Sequence, residues 1–76
     1  MKEYLIPWCD DSGVYWCPIT NSKSYFVGDC LQEIAKAEGL VVDNTSESGI
    51  LCELQSHGLI IELFDISSNT VIGWDY

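Results

Sequence analysis

The chain contains no arginine and only three lysines, Lys2, Lys23 and Lys36, in 76 residues. At the usual charged fraction, a chain of this length would carry roughly nine Lys plus Arg. Without an arginine fork, and with no lysine in a glycine-rich motif, the usual clamp for phosphate substrates is missing. Direct nucleic-acid binding is excluded for the same reason, because phosphate contacts are made by Lys and Arg. No run approaches the ~20 apolar residues of a membrane helix. The first residues, Met1 to Trp8, lack the apolar stretch of a signal peptide, which points to the cytoplasm. No two of the four cysteines, Cys9, Cys17, Cys30 and Cys52, have Cys-x-x-Cys spacing. In a reducing compartment such thiols are expected to be free, buried, small hydrophobes, with no metal and no cofactor. Cys52 and the single histidine, His57, offer a thiol and a base. However, His57 falls at a turn or helix end, and a chain this small has little room for a pocket of the ~300 Å³ typical of ligand sites. These absences point away from an enzyme.

What the chain does contain is acid. Six Asp and six Glu give a net charge of -9. The acids are modestly enriched and the bases nearly absent, so the surface field is negative almost everywhere. Such a field attracts basic surfaces and repels nucleic acid and anionic membranes. Hydrophobic residues make up 47% of the chain, enough for a core, so residues 1–76 are expected to form a single domain. A domain of this size buries only ~60% of its unfolded surface. Self-repulsion adds to that strain. The nine aromatic side chains offset some of it, and a homodimer would be another remedy.

Local patterns predict an α+β domain. Residues 3–9 alternate weakly, and Pro7 marks an edge strand or a bulge. The turn signal Asp10-Asp11-Ser12-Gly13 leads to a second strand over 14–19, completing an N-terminal hairpin. Thr20 to Ser24 reads as a loop. Asp29 is the expected N-cap of a central helix over 30–38, with Gln32 three residues on and Gly39 as the stop. Its stripe is Cys30, Leu31, Ile34 and Ala37. Leu40 to Val42 reads as a short strand. Residues 50–55 fit two patterns. The favoured one is a strand turning through Ser56-His57-Gly58 into a strand over 59–66, which would bring Glu53 and Glu62 together across the hairpin. The other is a second helix over 45–57, capped by Asn44 with Glu47 completing a capping box and stopped by Gly58. A last strand over 71–76 pairs antiparallel with 59–66. Trp16 and Phe64 are expected to be buried.

The carboxylates are spread along the whole chain. Alternation along a strand separates same-face side chains by roughly 7 Å, comparable to the phosphate spacing of a nucleic-acid strand. Candidate partner-binding residues are Asp10, Asp11, Asp29, Glu33, Glu38, Asp43 and Glu47, with Tyr15 as an aromatic anchor. In its size, acidity and α+β patterning the whole chain resembles the small inhibitors encoded by phages and mobile elements, among them anti-CRISPR proteins, anti-restriction proteins and uracil-DNA glycosylase inhibitors. The resemblance implies a non-enzymatic DNA mimic. Its partner would be a basic nucleic-acid-binding protein or complex, such as a CRISPR effector, in the host bacterial cytoplasm. The alternative is an accessory interaction module, a homodimer among its forms, whose acidity serves solubility.

Overall fold

A computed structural model describes residues 2–74 of the chain. Its elements in order are β1 (Glu3–Cys9), β2 (Val14–Trp16), β3 (Lys23–Ser24), α1 (Val27–Ala37), α2 (Glu47–Ser56), β4 (Ile60–Asp65) and β5 (Thr70–Ile72). The five strands form one mixed sheet in the order β3-β2-β1-β4-β5. The α+β reading holds.

The N-terminal hairpin forms as expected, with Trp8 opposite Tyr15 and Cys9 opposite Val14. β2 stops at Trp16, two residues before Pro18, and Lys23–Ser24 adds a third strand where a loop was expected. The centre of the sheet departs from expectation. β1 is the middle strand and runs parallel to β4, from Glu3 beside Ile60 to Trp8 beside Asp65. Pro7 therefore sits inside a central strand. Backbone parity shows why it is tolerated. The carbonyls of Lys2 and Trp8 accept from Ile60 and Ile66, so even-numbered residues of β1 turn their polar groups to β4 and odd-numbered ones to β2. Pro7 thus lacks its donor on the β2 side, and the β1–β2 ladder has already ended at the Trp8–Tyr15 pair.

α1 begins earlier than expected, after Phe26, which provides no side-chain cap. Asp29 lies in the first turn, and its carboxylate accepts from the Ser24 hydroxyl at 2.8 Å instead of capping the helix. The buried stripe is Val27, Cys30, Leu31, Ile34 and Ala35, at the spacing of one helix face; Ala37 is exposed. Gly39 ends the helix at φ +72, a conformation open to glycine.

Residues 47–56 are a helix, so the favoured hairpin over 50–64 does not form. Ile50, Leu51 and Leu54 are buried on one helical face, and Cys52 is exposed. Ser46, not Asn44, is the cap, accepting from the Gly49 amide at 3.1 Å. Asn44 instead donates to Glu53, so Glu53 does not face Glu62 across a ladder. Gly58 ends α2 at φ +84 as expected. Residues 40–42 are not a strand; Leu40 and Val42 pack against the core from a loop. β5 pairs antiparallel with β4, and Asp75 and Tyr76 of the expected last strand lie outside the described residues.

Both helices cover the same face of the sheet. α1 lies over β2 and β3 and α2 over β4. Ile6, Ile61 and Leu63 meet Leu31, Ile34, Ile50 and Leu54 in one core, and Tyr4, Tyr15 and Ile72 pack around it. Each fully buried aliphatic side chain there contributes ~1.5–3 kcal/mol. Alternation sends Leu5, Pro7, Trp16, Lys23, Ile60, Glu62, Phe64 and Val71 to the opposite face, away from both helices. Trp16 and Phe64 are therefore only half-buried, contrary to expectation.

Candidate functional site at the carboxyl edge of the parallel strands

The topology sorts charge along the molecule. Glu38, at the end of α1, accepts from Lys2 at 3.0 Å and from the Tyr4 hydroxyl. The end of α1 therefore lies beside the start of β1, and α1 begins at the other end, where β1 finishes. The end of α2 leads into Ile60, whose amide donates to the Lys2 carbonyl at 2.9 Å. So α2 also begins where β1 and β4 finish. That end gathers the Asp10-Asp11 turn after β1, Asp29 in the first turn of α1, Glu47 in the first turn of α2 and Asp65 at the end of β4. Carboxylates in a first helical turn are stabilised by the partial positive charge of the helix amino terminus. Lys2 and Lys36 lie at the opposite end and are already paired, with Glu38 and Glu33. Lys23, on β3, sits over the Trp16 ring with its amine 5.1 Å from the centroid.

Beneath the acidic end is an aromatic platform. Trp8 and Tyr15 stack with centroids 6.0 Å apart and 19° between planes. Trp8 stands beside Asp65 in the ladder. Burial pushes the Tyr15 phenol above its ordinary pKa, and the Glu47 carboxylate and the Cys30 thiol push it further. Tyr15 thus spans the core and the acidic end rather than standing free as an anchor.

Of the eight candidate residues, Asp10, Asp11, Asp29, Glu47 and Tyr15 come together here. Asp43 lies in the loop that returns from the end of α1 to the start of α2. Glu33 lies further along α1, bound to Lys36 at 3.3 Å. Glu38 belongs to the far end, where Tyr4 and then Lys2 hold its carboxyl below the usual range. Two residues at the acidic end, Trp8 and Asp65, are not among the sequence candidates. Their proximity depends on parallel pairing between strands some fifty residues apart, for which no local pattern is a signal.

The cysteines divide by environment. Cys17 and Cys30 are buried, Cys9 is half-buried and Cys52 is exposed, so only two of the four behave as core hydrophobes. Burial, and then the neighbouring Cys17, push the Cys30 thiol up to about 12, which leaves it unreactive. The expectation of little room for a pocket is also corrected. A concavity of about 280 Å³ between β3 and α1 is lined by Cys17, Ser22, Ser24, Asp29, Cys30 and Glu33, and one of about 330 Å³ lies under the 40–42 loop. Among the described residues, no group of three or more His, Cys, Asp or Glu is placed to hold a metal ion, and no helix is long and apolar enough to cross a membrane.

Searches of protein-family models, curated proteins and solved structures find no match for the chain.

Proposed function

We propose that this chain is a non-enzymatic inhibitor whose acidic end acts as a decoy for nucleic acid. In this reading it enters a Lys/Arg-lined channel of a basic nucleic-acid-binding complex, such as a CRISPR effector, and excludes DNA sterically and electrostatically. The observation that carries the reading is the polarity of charge. Five carboxylates from the β1–β2 turn, α1, α2 and β4 converge on one end, while Lys2 and Lys36 lie at the other in ion pairs. A channel built for phosphates would meet a surface interrupted by one cation, Lys23, beside five carboxylates.

The test is capture from a bacterial lysate by the tagged protein at low and high salt, with bound proteins identified by mass spectrometry. The expected result is one nucleic-acid-binding complex, released by salt and competed by DNA. Charge reversal at the turn, Asp10→Lys with Asp11→Lys, should weaken capture by about tenfold or more, because close charge pairs across an interface set its strength and salt dependence. Capture of a salt-resistant partner with no nucleic-acid site would reject the decoy. It would favour the accessory-module reading, which the uncovered apolar sheet face also supports.

A further inference from the structure

The open face of the sheet is the least explained surface of the molecule. Leu5, Ile60 and Val71 are 40%, 37% and 52% exposed on it. Pro7, Phe64 and Trp16 lie half-buried between them. Val14, although buried, falls outside the main core cluster, as expected of a residue on this side. Two carboxylates, Glu3 and Glu62, interrupt the apolar surface, Glu3 beside Ile60 and Glu62 beside Leu5 in the ladder, and one cation, Lys23, lies over Trp16 at its β3 edge. Neither carboxylate makes an ion pair or a side-chain hydrogen bond among the described residues. An apolar field with unpaired acids set into it calls for an occupant that brings apolar side chains and cations together.

We infer that this face docks a segment of a cationic partner protein in which apolar residues alternate with Lys or Arg. The apolar side chains would lie over Leu5, Phe64 and Val71, and the cations would reach Glu3 and Glu62. Charge and area both argue against a second copy as the occupant. Self-association would set nine net negative charges against nine, with three lysines per chain to answer them. Strands of up to seven residues, about 4.8 Å apart, give this face roughly 400 Å². A stable interface takes about 800 Å² from each partner, twice what this face offers. A cationic partner can make up the difference by continuing onto the acidic end, because β1 and β2 run directly from this face into the Asp10-Asp11 turn. The inference rests on the proposed reading of the chain as a binder of cationic surfaces, and it adds an apolar anchor that would supply specificity.

The experiment is a titration of the isotopically labelled protein, followed by amide and methyl NMR shifts. One probe is a peptide alternating lysine with leucine; the other is oligolysine. The expected result is that the alternating peptide shifts Leu5, Glu62, Phe64 and Val71, whereas oligolysine shifts Asp10, Asp11 and Glu47. Leu5→Thr and Val71→Thr, exposed and compatible with strands, should each weaken the alternating peptide about fivefold while leaving oligolysine unchanged. Glu62→Gln should also weaken it. If both peptides shift only the acidic end, the inference fails and the decoy reading stands. If neither binds, both fail. If the sheet-face shifts appear on concentrating the protein alone, with a dimer in sedimentation, the occupant is a second copy and the inference is overturned.

Discussion

The helix α2 places Glu47 at the acidic end, so the first perturbation to make is the one that decides whether 47–56 is helical. Two neighbouring residues separate the alternatives. In a strand, Ile50, Cys52 and Leu54 share one face and Leu51 lies on the other. In the helix, Leu51 is buried at 4% exposure beside Ile50 and Leu54, and Cys52 faces solvent. Leu54 is uninformative, since both arrangements bury it. Leu51→Ala removes a packed side chain, and such changes cost about 2–5 kcal/mol. A chain of 76 residues has a total stability of only about 4–11 kcal/mol. The melting temperature should therefore fall by roughly 8–40 °C, at about 4–8 °C per kcal/mol. Cys52→Ala should stay within about 0.5 kcal/mol of the parent, as exposed substitutions do. Urea and thermal unfolding, each followed by far-UV circular dichroism and tryptophan fluorescence, give both numbers and check that unfolding is two-state. A larger loss for Cys52→Ala than for Leu51→Ala would refute the helix, and Glu47 would lose its place in the site.

Three further outcomes are expected. Thiol labelling of the native protein should modify Cys52 and Cys9 first, the latter aided by bonds from Ser12 that draw its pKa down, while Cys17 and Cys30 react only on unfolding; rapid native labelling of Cys30 would contradict its burial. Stability should respond to acid through Glu38. Its carboxyl is held low in the fold, by Tyr4 first and then Lys2, so its contribution is complete above the unfolded value near ~4.3 and is lost as pH falls through the lower folded value. Tyr4→Phe should lower the urea midpoint at neutral pH and flatten its fall on the acid side, and equal slopes for parent and variant would remove Glu38 from the account. Finally, Asp10→Asn with Asp11→Asn should leave the free protein as stable or slightly more so at low salt, whereas Glu47→Gln should cost about 0.3–1 kcal/mol by losing its interaction with the α2 amino terminus. A loss on neutralising the turn would show that those acids serve the fold.

The hairpin, α1 and β4 were legible because each carries a short-range signal. Asp10 to Gly13 is a turn by composition, α1 has an apolar stripe at helical spacing, and residues 60–65 are rich in Ile, Leu and Phe. Ile50 to Gln55 fits both periods, and the contacts of Leu51 with the core, invisible in the local pattern, settle it as a helix. Pro7 misled because the rule against proline in central strands assumes a ladder on both sides, and here one side has ended. Parallel pairing of β1 with β4 has no local signature. The uncovered sheet face and the meeting of Glu47 and Asp65 with Asp10 and Asp11 were therefore beyond reach of the sequence.

The structure also divides the acids by what already occupies them. Asp29 accepts from Ser24, Glu33 from Lys36, Glu38 from Lys2 and Tyr4, Glu53 from Asn44, and Asp65 from the Ser67 amide. Glu47 begins a helix, where negative charge is favoured. Each of these has a reason to be acidic that needs no partner. Among the described residues, Glu3, Asp10, Asp11, Asp43 and Glu62 have no ion pair or side-chain hydrogen bond of their own. These five are not scattered. Asp10 and Asp11 cap the acidic end, and Asp43 lies in the loop leading back to it. Glu3 and Glu62 lie on the apolar sheet face. Charges beside exposed Leu5, Ile60 and Val71 also keep that face from pairing with its own copy, so their position fits solubility as well as binding. Spare carboxylates at the end of the sheet and on its apolar face lie on one surface, acidic apart from Lys23 over Trp16 and apolar in part. In the proposed reading, a cationic partner with its own apolar centre would complement it.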